Sequence, residues 1–287
     1  MNLNHFLVPP GRKIRIKDYD PAFTSGYKDK QEAQTKLAKD IEKLAELQDV
    51  LYACGNYALL IIFQAMDTAG KDGAIKHVMS GVNPQGVQVI SFKQPSDEEL
   101  RHDYLWRASK ALPGRGYIGI FNRSYYEEVL VVRVHKELLQ HERANPAEKF
   151  KQLWKDRYQD ICSFERHLVR NGTHVLKFFL NLSYEEQKRR LLSRIDDSSK
   201  NWKFSAADMH ERSFWKDYRS AYEDMLIHTS SDWAPWYVIP ADHKWFTRVA
   251  VADVIVEKLE SLRLRYPTLR ADQKADLKKA KKILEQE

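Results

Sequence analysis

The chain has 287 residues, 43% of them hydrophobic, and its 47 lysine and arginine residues outnumber its 40 aspartate and glutamate residues to give a net charge of +7. No apolar run approaches the roughly 18 residues that a membrane span needs, the N-terminus lacks the apolar core of a signal peptide, and two cysteines are too few for a disulfide framework or a zinc site. The composition therefore predicts a cytoplasmic globular protein whose positive charge favours anionic partners: nucleic acid, phosphate-rich small molecules or anionic lipid.

The first half of the chain alternates predicted helices and strands after an irregular N-terminal arm (1–29). Leucine and isoleucine at helical spacing predict a long amphipathic helix over 30–53. The apolar run YALLIIFQAM (57–66) is typical of a strand buried on both faces of a parallel sheet. A helix should follow from about Asp72. The further elements expected in this half are a strand at 87–93, a helix at 96–112 and a strand at 116–121.

The second half continues the alternation up to a charged tail (267–287). The elements expected there are helices at 147–171, 184–195, 213–229 and 243–265 and strands at 174–183 and 236–241. The polar stretch 196–215 lacks regular periodicity, and we interpret the region of about 190–215 as a mobile lid. The alternation indicates one α/β domain (30–266), a three-layer sandwich with about five parallel strands and helices on both faces. Ligands bind beyond the carboxyl ends of such strands.

The segment FQAMDTAGKDG (63–73), between the first strand and the next helix, is typical of a phosphate-binding loop. Gly70 permits a tight turn, and backbone N–H groups at the start of the helix can converge on an oxyanion. Lys71 can reach a phosphate oxygen. The alternative is an ordinary strand–turn–helix unit with an incidental Gly-Lys pair. The residues of this segment that we assign to phosphate binding are Ala69, Gly70, Lys71, Asp72, Gly73 and Lys76.

Two positions depart from the common loop pattern G-x-x-x-x-G-K-[S/T]. Ala65 replaces the first glycine, and Asp72 replaces the hydroxyl residue that would bind Mg²⁺. Asp67, an additional carboxylate inside the loop, is the natural candidate to hold the metal instead. Asp72 could equally be a first-turn carboxylate that the helix dipole favours.

The third predicted strand runs into FNRSYYEEVLVVRVH (121–135), which places Asn122 where a metal-binding aspartate would be expected. The guanidinium of Arg123, beside the phosphate loop, is suited to neutralising phosphoryl charge. The alternative is a structural ion pair between Arg123 and Glu127, four residues apart, and the two roles can coexist. Arg133 follows at helical spacing and is a further candidate for phosphate binding.

The proposed lid is rich in basic residues. We assign Arg190, Arg194 and Lys203 to binding of an anionic substrate, and we interpret Lys188 and Arg189 as a solvated helix face. Most aromatic residues lie at core spacing, whereas Trp202, inside the lid, is the candidate for stacking on a nucleotide base. No zinc-protease or serine-hydrolase motif occurs among the histidines and serines.

Taken together, these motifs resemble the family-2 polyphosphate kinases. The resemblance covers about residues 30–265 and rests on QAMDTAGKDG, HVMSGVNPQGVQVISFKQPS, GYIGIFNRSYYEEVLVVRV, LKFFLNLSYEEQKRRLLSRIDD, WKFSAADMHERSFWKDYRSAYEDML and WAPWYVIPADHKW. It implies a P-loop kinase-like fold with a helical lid. It also implies reversible Mg²⁺-dependent transfer of phosphoryl groups between inorganic polyphosphate and nucleotides, with Mn²⁺ as an alternative metal.

The resemblance also implies roles for individual residues. Asp67 is then the metal-linked carboxylate, with Asn122 or Glu127 as further candidates, and Lys71 holds the transferring phosphoryl group. Asp67, Lys71, Arg123 and Glu127 form the catalytic set, and Asn122, Arg123 and Trp202 face the nucleotide. Asparagine at 122, where many relatives have aspartate, resembles the subgroup that accepts both AMP and ADP.

The sequence also allows two alternative functions. An ATP-dependent nucleotide kinase would use the same loop, but it should carry the hydroxyl after Lys71 and the strand-terminal aspartate. A nucleic-acid-binding module would need exposed stacking aromatics and a recognition motif, which the sequence lacks. We therefore expect AMP, ADP and ATP as partners beside polyphosphate, with guanine nucleotides left open, and no nucleic acid or membrane. The long helix at 30–53 makes a homodimer or homotetramer plausible.

Overall fold

The structure is a computed structural model that describes residues 1–27, 29–141 and 150–287, without the side chains of residues 140, 141, 150, 151 and 203. Its described part contains one sheet of five parallel strands in the order β2-β3-β1-β4-β5. The strands are β1 (Ala58–Ala65), β2 (Val87–Ser91), β3 (Ile118–Asn122), β4 (Thr173–Asn181) and β5 (Trp236–Pro240). The helices are α1 (Lys30–Cys54), α2 (Lys71–Val78), α3 (Trp106–Lys110), α4 (Glu127–Val134), α5 (Phe150–Arg170), α6 (Tyr184–Asp196), α7 (Ala206–Ser213), α8 (Trp215–Thr229), α9 (Lys244–Ser261) and α10 (Ala271–Leu284).

Helices cover both faces of the sheet. All eight residues of β1 are buried. Its Leu59, Ile61 and Phe63 join one hydrophobic core with α1, α2 and α9, and Leu60 and Ile62 join a second core with α4, α5 and α8. Because successive side chains of a strand point to opposite faces, a run buried on both sides must be apolar throughout. The predicted three-layer α/β sandwich with a parallel sheet is confirmed.

The strand register brings four strand ends to one edge of the sheet. Asn122 at the end of β3 pairs with Phe63 of β1 on one side and with Ser91 of β2 on the other. On the far side of β1, Asn181 of β4 pairs with Pro240 of β5. Polar side chains that follow these ends therefore converge.

The N-terminal arm lies along the free edge of β5. Val8 donates its N–H to the carbonyl of Trp236 at 2.9 Å, and the N–H of Val238 donates to the carbonyl of Phe6 at 2.7 Å. Phe6 and Val8 are both buried. The arm therefore satisfies the edge groups that an open strand would otherwise expose.

The secondary structure predicted for two segments was wrong. The single helix expected over 96–112 is broken: its capping box forms, with Glu99 N–H bonded to Ser96 Oγ at 3.3 Å and Ser96 N–H to Glu99 Oε2 at 2.8 Å. The chain then turns at Asp103, whose carboxylate accepts the N–H of Leu105 at 3.0 Å and restarts a short helix, α3. The stretch 196–215 is not irregular throughout, because Ser205 caps the two-turn helix α7 through Ala207 N–H at 3.2 Å.

The remaining expected elements form with small shifts of their ends. Residues 147–149 of the helix expected at 147–171 lie outside the described residues. The helix α4 was not among the predicted elements, although Arg133 was placed at helical spacing; the run of valines in α4 is more typical of a strand. Within the described ranges, none of the helices has the length and apolar character that crossing a bilayer requires.

Candidate active site

The phosphate loop joins β1 to α2 through two residues in the left-handed region. Gly70 has a φ of 104° and precedes the first turn of α2, where no side chain caps the helix. Thr68 has a φ of 66°, which is unusual for a β-branched residue. Such strained backbone concentrates at functional sites. The first N–H groups of α2 are thereby available to an anion.

Lys71 folds back over this loop. Its Nζ donates to the carbonyl of Ala65 at 2.9 Å. Burial lowers the pKa of Lys71, the nearby charge of Arg123 lowers it further, and the carboxylates of Asp67 and Glu127 act in the opposite direction. A bound phosphate would add a negative charge beside Nζ and favour the ammonium form.

Arg123 links the loop to α4. Its Nη2 donates to Asp67 Oδ1 at 2.9 Å, and its Nη1 donates to Glu127 Oε2 at 3.1 Å. A φ of 63° at Arg123, directly after β3, turns the side chain back toward β1. The charge of Glu127 is the main cause of a raised pKa at Arg123, although burial opposes it. The structural ion pair considered from the sequence therefore exists, and it ties three predicted catalytic residues together.

Asn122 holds Asp72. Its Nδ2 donates to Asp72 Oδ1 at 2.6 Å. An aspartate at position 122 would set two carboxylates against each other here, whereas the amide gives Asp72 a neutral donor. Asp72 is therefore more than a first-turn charge favoured by the helix dipole.

These groups open into a cavity of about 780 Å³ at the carboxyl edge of the sheet. Among its described lining residues are nine lysine or arginine side chains and four carboxylates. The predicted residues that line it are Asp67, Ala69, Gly70, Lys71, Asp72, Gly73, Asn122, Arg123, Arg190 and Arg194. Such an excess of cations suits a multiply charged phosphate ligand.

Five basic lining residues were not assigned to the site from the sequence: Lys93, Arg189, Lys200, Lys244 and Arg248. Burial lowers the pKa of both Lys244 and Arg248. Lys93 and Lys244 follow the ends of β2 and β5, so the rule that strand ends face the ligand could have found them. Arg189, interpreted as part of a solvated face, is 75% exposed and bonds Glu186, yet it also borders the cavity.

Arg190 supports the phosphate loop from behind. Its Nη1 donates to the carbonyls of Thr68 and Ala69 at 3.0 and 2.9 Å, and its Nη2 donates to those of Ala241 and Asp242 at 2.6 and 3.1 Å. Its Nε bonds Glu186 at 2.6 Å. All five guanidinium donors are thus used. In this geometry Arg190 positions the loop and has no donor left for phosphate, which differs from its predicted role.

The lid helix α7 lies over the other side of Asp67. Arg194 on α6 pairs with Asp208 on α7 at 2.9 Å. Burial and the charge of Asp67 raise the pKa of Asp208. A small recess of about 30 Å³ separates α7 from the catalytic set and is lined by, among others, Asp67, Arg123, Glu127, Asp208, Glu211, Tyr218 and Tyr222. The region interpreted as a lid therefore lies beside the catalytic set, and its mobility stays a prediction.

Some predicted residues do not line the cavity. Arg133 bonds the hydroxyl of Tyr158 at 2.6 Å and pairs with Asp224, so it joins α4 to α5 and α8 rather than facing a phosphate. Lys76 lies on the exposed face of α2, and Trp202 is 77% exposed. Neither belongs to the cavity lining. The side chain of Lys203 lies outside the described residues.

The donor set fits a hard cation that is shared with phosphate. The side chain of Asp67 is 30% exposed and borders the cavity. No cluster of three or more histidine, cysteine, aspartate or glutamate side chains suitable for a metal occurs in the described parts of the chain. Mg²⁺ is typically bound by one or two carboxylates together with substrate phosphates, and one loop carboxylate beside a phosphate site is that arrangement.

A parallel α/β sheet, a phosphate loop at the end of its first strand, an arginine bridging two carboxylates and a cationic cavity under a helical lid define a P-loop kinase-like phosphotransferase. The sequence matches the model of the family described as polyphosphate kinase 2 over residues 27–266. The chain therefore belongs to the polyphosphate kinase 2 family, and the polyphosphate:nucleotide phosphotransferase activity predicted from the sequence is confirmed.

Individual relatives agree with this family. The chain is 52% identical over 263 residues to an ADP-polyphosphate phosphotransferase of Rhodopseudomonas palustris, covering 91% of each chain. It is 44% identical over 266 residues to an AMP/ADP-polyphosphate phosphotransferase of Meiothermus ruber, covering 92% of this chain and 96% of the relative. The crystal structure of polyphosphate kinase 2 from Arthrobacter aurescens TC1 superimposes with a TM-score of 0.85 at 41% identity, covering 95% of both chains.

Proposed function

We propose that this chain transfers the terminal phosphoryl group of inorganic polyphosphate to AMP and to ADP, reversibly and with Mg²⁺. The observation that carries the proposal is the set of cations beyond the phosphate loop. Lys93, Lys244 and Arg248 add three cations to the cavity lining beside those of the phosphate loop and of α6. A donor that is charged along its whole length makes use of such a lining.

The donor end lies at the loop in this proposal. Lys71 and the N–H groups of α2 hold the transferring phosphoryl group, and Arg194 with Lys200 and Arg248 contacts the following phosphates. The acceptor nucleotide reaches the same phosphorus from the lid side, where Asn122 and Arg123 face its phosphate. Trp202, which is exposed on the lid outside the cavity lining, would contact the base once the lid closes over the nucleotide.

Asp67 would hold Mg²⁺ or Mn²⁺, with Asn122 and Glu127 as further candidates for ligands. A bound divalent cation supplies neutralisation of phosphate charge. Arg123 fixes the Asp67 carboxylate at 2.9 Å, and so it sets where that charge sits. The fixed ion pair needs no rearrangement when substrates bind.

Transfer needs no covalent intermediate and no strong general base. An acceptor phosphate has a second pKa of about 6, so its oxygen is ionised at neutral pH. Lys71 and Arg123 stabilise the charge that spreads over the transferring oxygens, while the loop and the lid align the donor and acceptor in line. Positioning and electrostatic stabilisation therefore supply the rate.

The acceptor range follows from Asn122. Its amide bonds Asp72 at 2.6 Å and adds no charge to the acceptor side of the loop. An acceptor side with less negative charge suits both AMP and the more charged ADP. The relative from Meiothermus ruber, whose name includes AMP and ADP, supports this assignment. A cytoplasmic location and a homodimer or homotetramer complete the proposal.

The test supplies AMP or ADP as acceptor and polyphosphate as sole donor, and it measures ADP and ATP by chromatography. We expect both acceptors to be phosphorylated. A parallel reaction with AMP and ATP as sole donor distinguishes an ATP-dependent kinase. Turnover only in the second reaction would overturn the proposed function, and turnover of ADP but not AMP would overturn the acceptor range.

A further inference from the structure

The C-terminal helix α10 stands apart from both hydrophobic cores. None of its 14 residues is buried. Its five lysines begin at the end of the first turn, and four of them lie in the second half: Lys274, Lys278, Lys279, Lys281 and Lys282. The acidic residues Asp272 and Asp276 lie in the first half, so the lysine end coincides with the negative end of the helix dipole. The dipole thereby favours this basic helix without help from packing.

This segment holds most of the net charge of the protein. Residues 262–287 contain eight lysine or arginine residues and four aspartate or glutamate residues, a net charge of +4 out of +7 for the whole chain. Only weak surface pairs offset it, such as Lys281 with Glu285 at 3.6 Å. Short lysine-rich segments of this kind bind polyanions.

The helix lies beyond the catalytic unit. The match to the family ends at residue 266, before α10 begins. The 18 residues of α9 lead away from the cavity, which Lys244 at its start helps to line, and they span about 27 Å. Arg248 is the last residue of α9 in the described cavity lining, and the far end of the helix carries exposed Glu257 and Glu260 beside the half-buried Lys258, so the basic lining of the cavity stops within the first half of this helix. The lysines of α10 therefore form a second, separate cationic surface.

We propose that α10 is an anchoring site for the distal part of a long polyphosphate chain whose end occupies the catalytic cavity. The inference rests on the proposed function, because it takes polyphosphate as the donor. Once a long polyanion is bound at one surface, its binding to the second surface is intramolecular, and the high effective concentration raises the overall affinity. A short donor cannot reach both surfaces and lacks this gain. The lysines act through charge, as flexible point cations on an exposed helix.

The chemistry of the helix favours a flexible, uniformly charged chain over a shaped ligand. Its Lys274, Lys278, Lys281 and Lys282 lie on one face at the spacing i, i+4, i+7 and i+8, and it has no aromatic residue for stacking on bases. Leu277 and Leu284 are exposed, at 58% and 69%, but they are too few to insert a large apolar face into a bilayer. Binding of polyphosphate requires only cationic side chains that the chain is long enough to reach.

The test uses the full-length chain with all five lysines replaced together: Lys274→Gln, Lys278→Gln, Lys279→Gln, Lys281→Gln and Lys282→Gln. Glutamine has nearly the helix propensity of lysine, so α10 should persist, and circular dichroism checks this. The matched control replaces the same lysines with arginine and keeps the charge. Initial rates with ADP are measured with long-chain polyphosphate and with chains of a few phosphates.

For the glutamine variant we expect the KM for long-chain polyphosphate to rise by about tenfold or more, with kcat and the KM for the short chain unchanged. Its KM for the long chain should also depend less steeply on salt. The arginine variant should behave like the wild type. An unchanged KM for the long chain, or an equal rise for both chain lengths, would overturn the proposal. The proposal would also be overturned if the five lysines were needed for the full-length protein to bind single-stranded DNA or anionic vesicles but not for it to bind polyphosphate.

The same data separate the two proposals. Turnover of the short chain by the wild-type protein tests the proposed function without involving α10. Failure of both donors with the wild type would refute the function itself. Normal turnover of both, with no difference between the variants, would refute only the anchoring site.

Discussion

Arg190 holds the phosphate loop through four backbone carbonyls, two from the loop and two from the segment after β5. Burial lowers the pKa of its guanidinium, and the bond to Glu186 opposes this effect. The planar fork of arginine matches this set of acceptors, whereas the ammonium of lysine has three donors and a different shape. The loop thus depends on one side chain from α6.

We predict that Arg190→Lys destabilises the protein by about 2–3 kcal/mol, since buried carbonyls lose charged hydrogen-bond donors. The KM for polyphosphate should rise because the loop is no longer held in place. Chemical denaturation and initial rates check the two effects. The matched control is Arg189→Lys, at the neighbouring exposed position, which should leave the free energy of unfolding within about 0.5 kcal/mol of the wild type. Equal effects of the two variants would contradict this role.

At the scale of single residues, sequence patterns located the loop but not its supports. Gly70 and Lys71 follow an apolar strand and precede a helix, so local spacing was enough to predict them. The contacts of Arg190 with Ala241 and Asp242 join residues about 50 positions apart, and no local spacing encodes them. Arg133 stood at a plausible helical spacing, but its partner on α8 could not be read from that spacing.

The lid helix α7 is tied to the phosphate loop through one buried glutamine on α6. Gln187 donates its Nε2–H to the carbonyl of Asp67 at 3.2 Å, and its Oε1 accepts from Arg212 on α7 at 2.6 Å. Arg212 also lies over the ring of Tyr184, 3.5 Å from its centroid. Gln187 therefore joins the loop and the lid helix by direct contacts.

We predict that Gln187→Leu frees α7 from the loop. Hydrogen exchange of residues 206–213 should accelerate, and the KM for the nucleotide should rise more than the KM for polyphosphate, because the lid covers the acceptor side. The free energy of unfolding should fall by about 1–3 kcal/mol, since the guanidinium of Arg212 loses a buried partner. The comparison variant Gln187→Glu keeps the acceptor for Arg212 but loses the donor to the carbonyl of Asp67, so exchange of α7 should accelerate less than in the leucine variant. Unchanged exchange in the leucine variant would refute the link.

At the scale of elements, periodicity predicted those whose burial follows one regular pattern. The strand β1 and the helix α1 are of this kind. The valine-rich α4 was missed because packing against α5 and α8 overrides the strand preference of its residues. The break before α3 depends on the turn at Asp103, a residue that a helical pattern also tolerates.

Within the second hydrophobic core, β4 and α5 are joined by a buried ion pair. Lys177 of β4 is fully buried and donates to Glu165 of α5 at 2.6 Å, to the hydroxyl of Tyr126 at 2.9 Å and to the carbonyl of Thr229 at 2.8 Å. The hydroxyl of Tyr125 also donates to Glu165, at 2.9 Å. Burial lowers the pKa of Lys177, and Glu165 acts to raise it. A lysine within an apolar strand signals such a network, but the sequence does not name its partner.

We predict that Lys177→Met costs about 3–5 kcal/mol, because it leaves the carboxylate of Glu165 buried without its cation. The double variant Lys177→Met/Glu165→Leu should recover at least half of the loss, since no charge then remains buried. Urea denaturation of the single and double variants measures the coupling. A double variant less stable than Lys177→Met alone would contradict the account.

The stability of the whole molecule should depend on His174. Burial, and to a lesser extent the charge of Lys258, lowers its pKa from 6.5 to about 4, and its Nε2 is buried with no hydrogen-bond partner among the described residues. The unfolded chain then binds a proton between these values that the folded chain does not, so the free energy of unfolding should fall as the pH falls from 6.5 toward 4.

Denaturation of the wild type and of His174→Gln at a series of pH values checks this. The variant should lose less stability between pH 7 and about 5 than the wild type does. The control is His167→Gln, at an exposed histidine on α5, which should retain the wild-type slope. An identical slope in the wild type and His174→Gln would contradict the assignment.

Asp67, fixed by Arg123 beside the phosphate loop, is expected to support phosphoryl transfer from polyphosphate. The direct measurement is ATP formation from ADP, Mg²⁺ and polyphosphate by Asp67→Asn, with Asp49→Asn on α1 as control and thermal unfolding of both. We predict that Asp67→Asn lowers kcat by at least about 10³-fold and unfolds within a few degrees of the wild type, while the control retains full activity. ATP formation by Asp67→Asn at the wild-type rate would contradict the account.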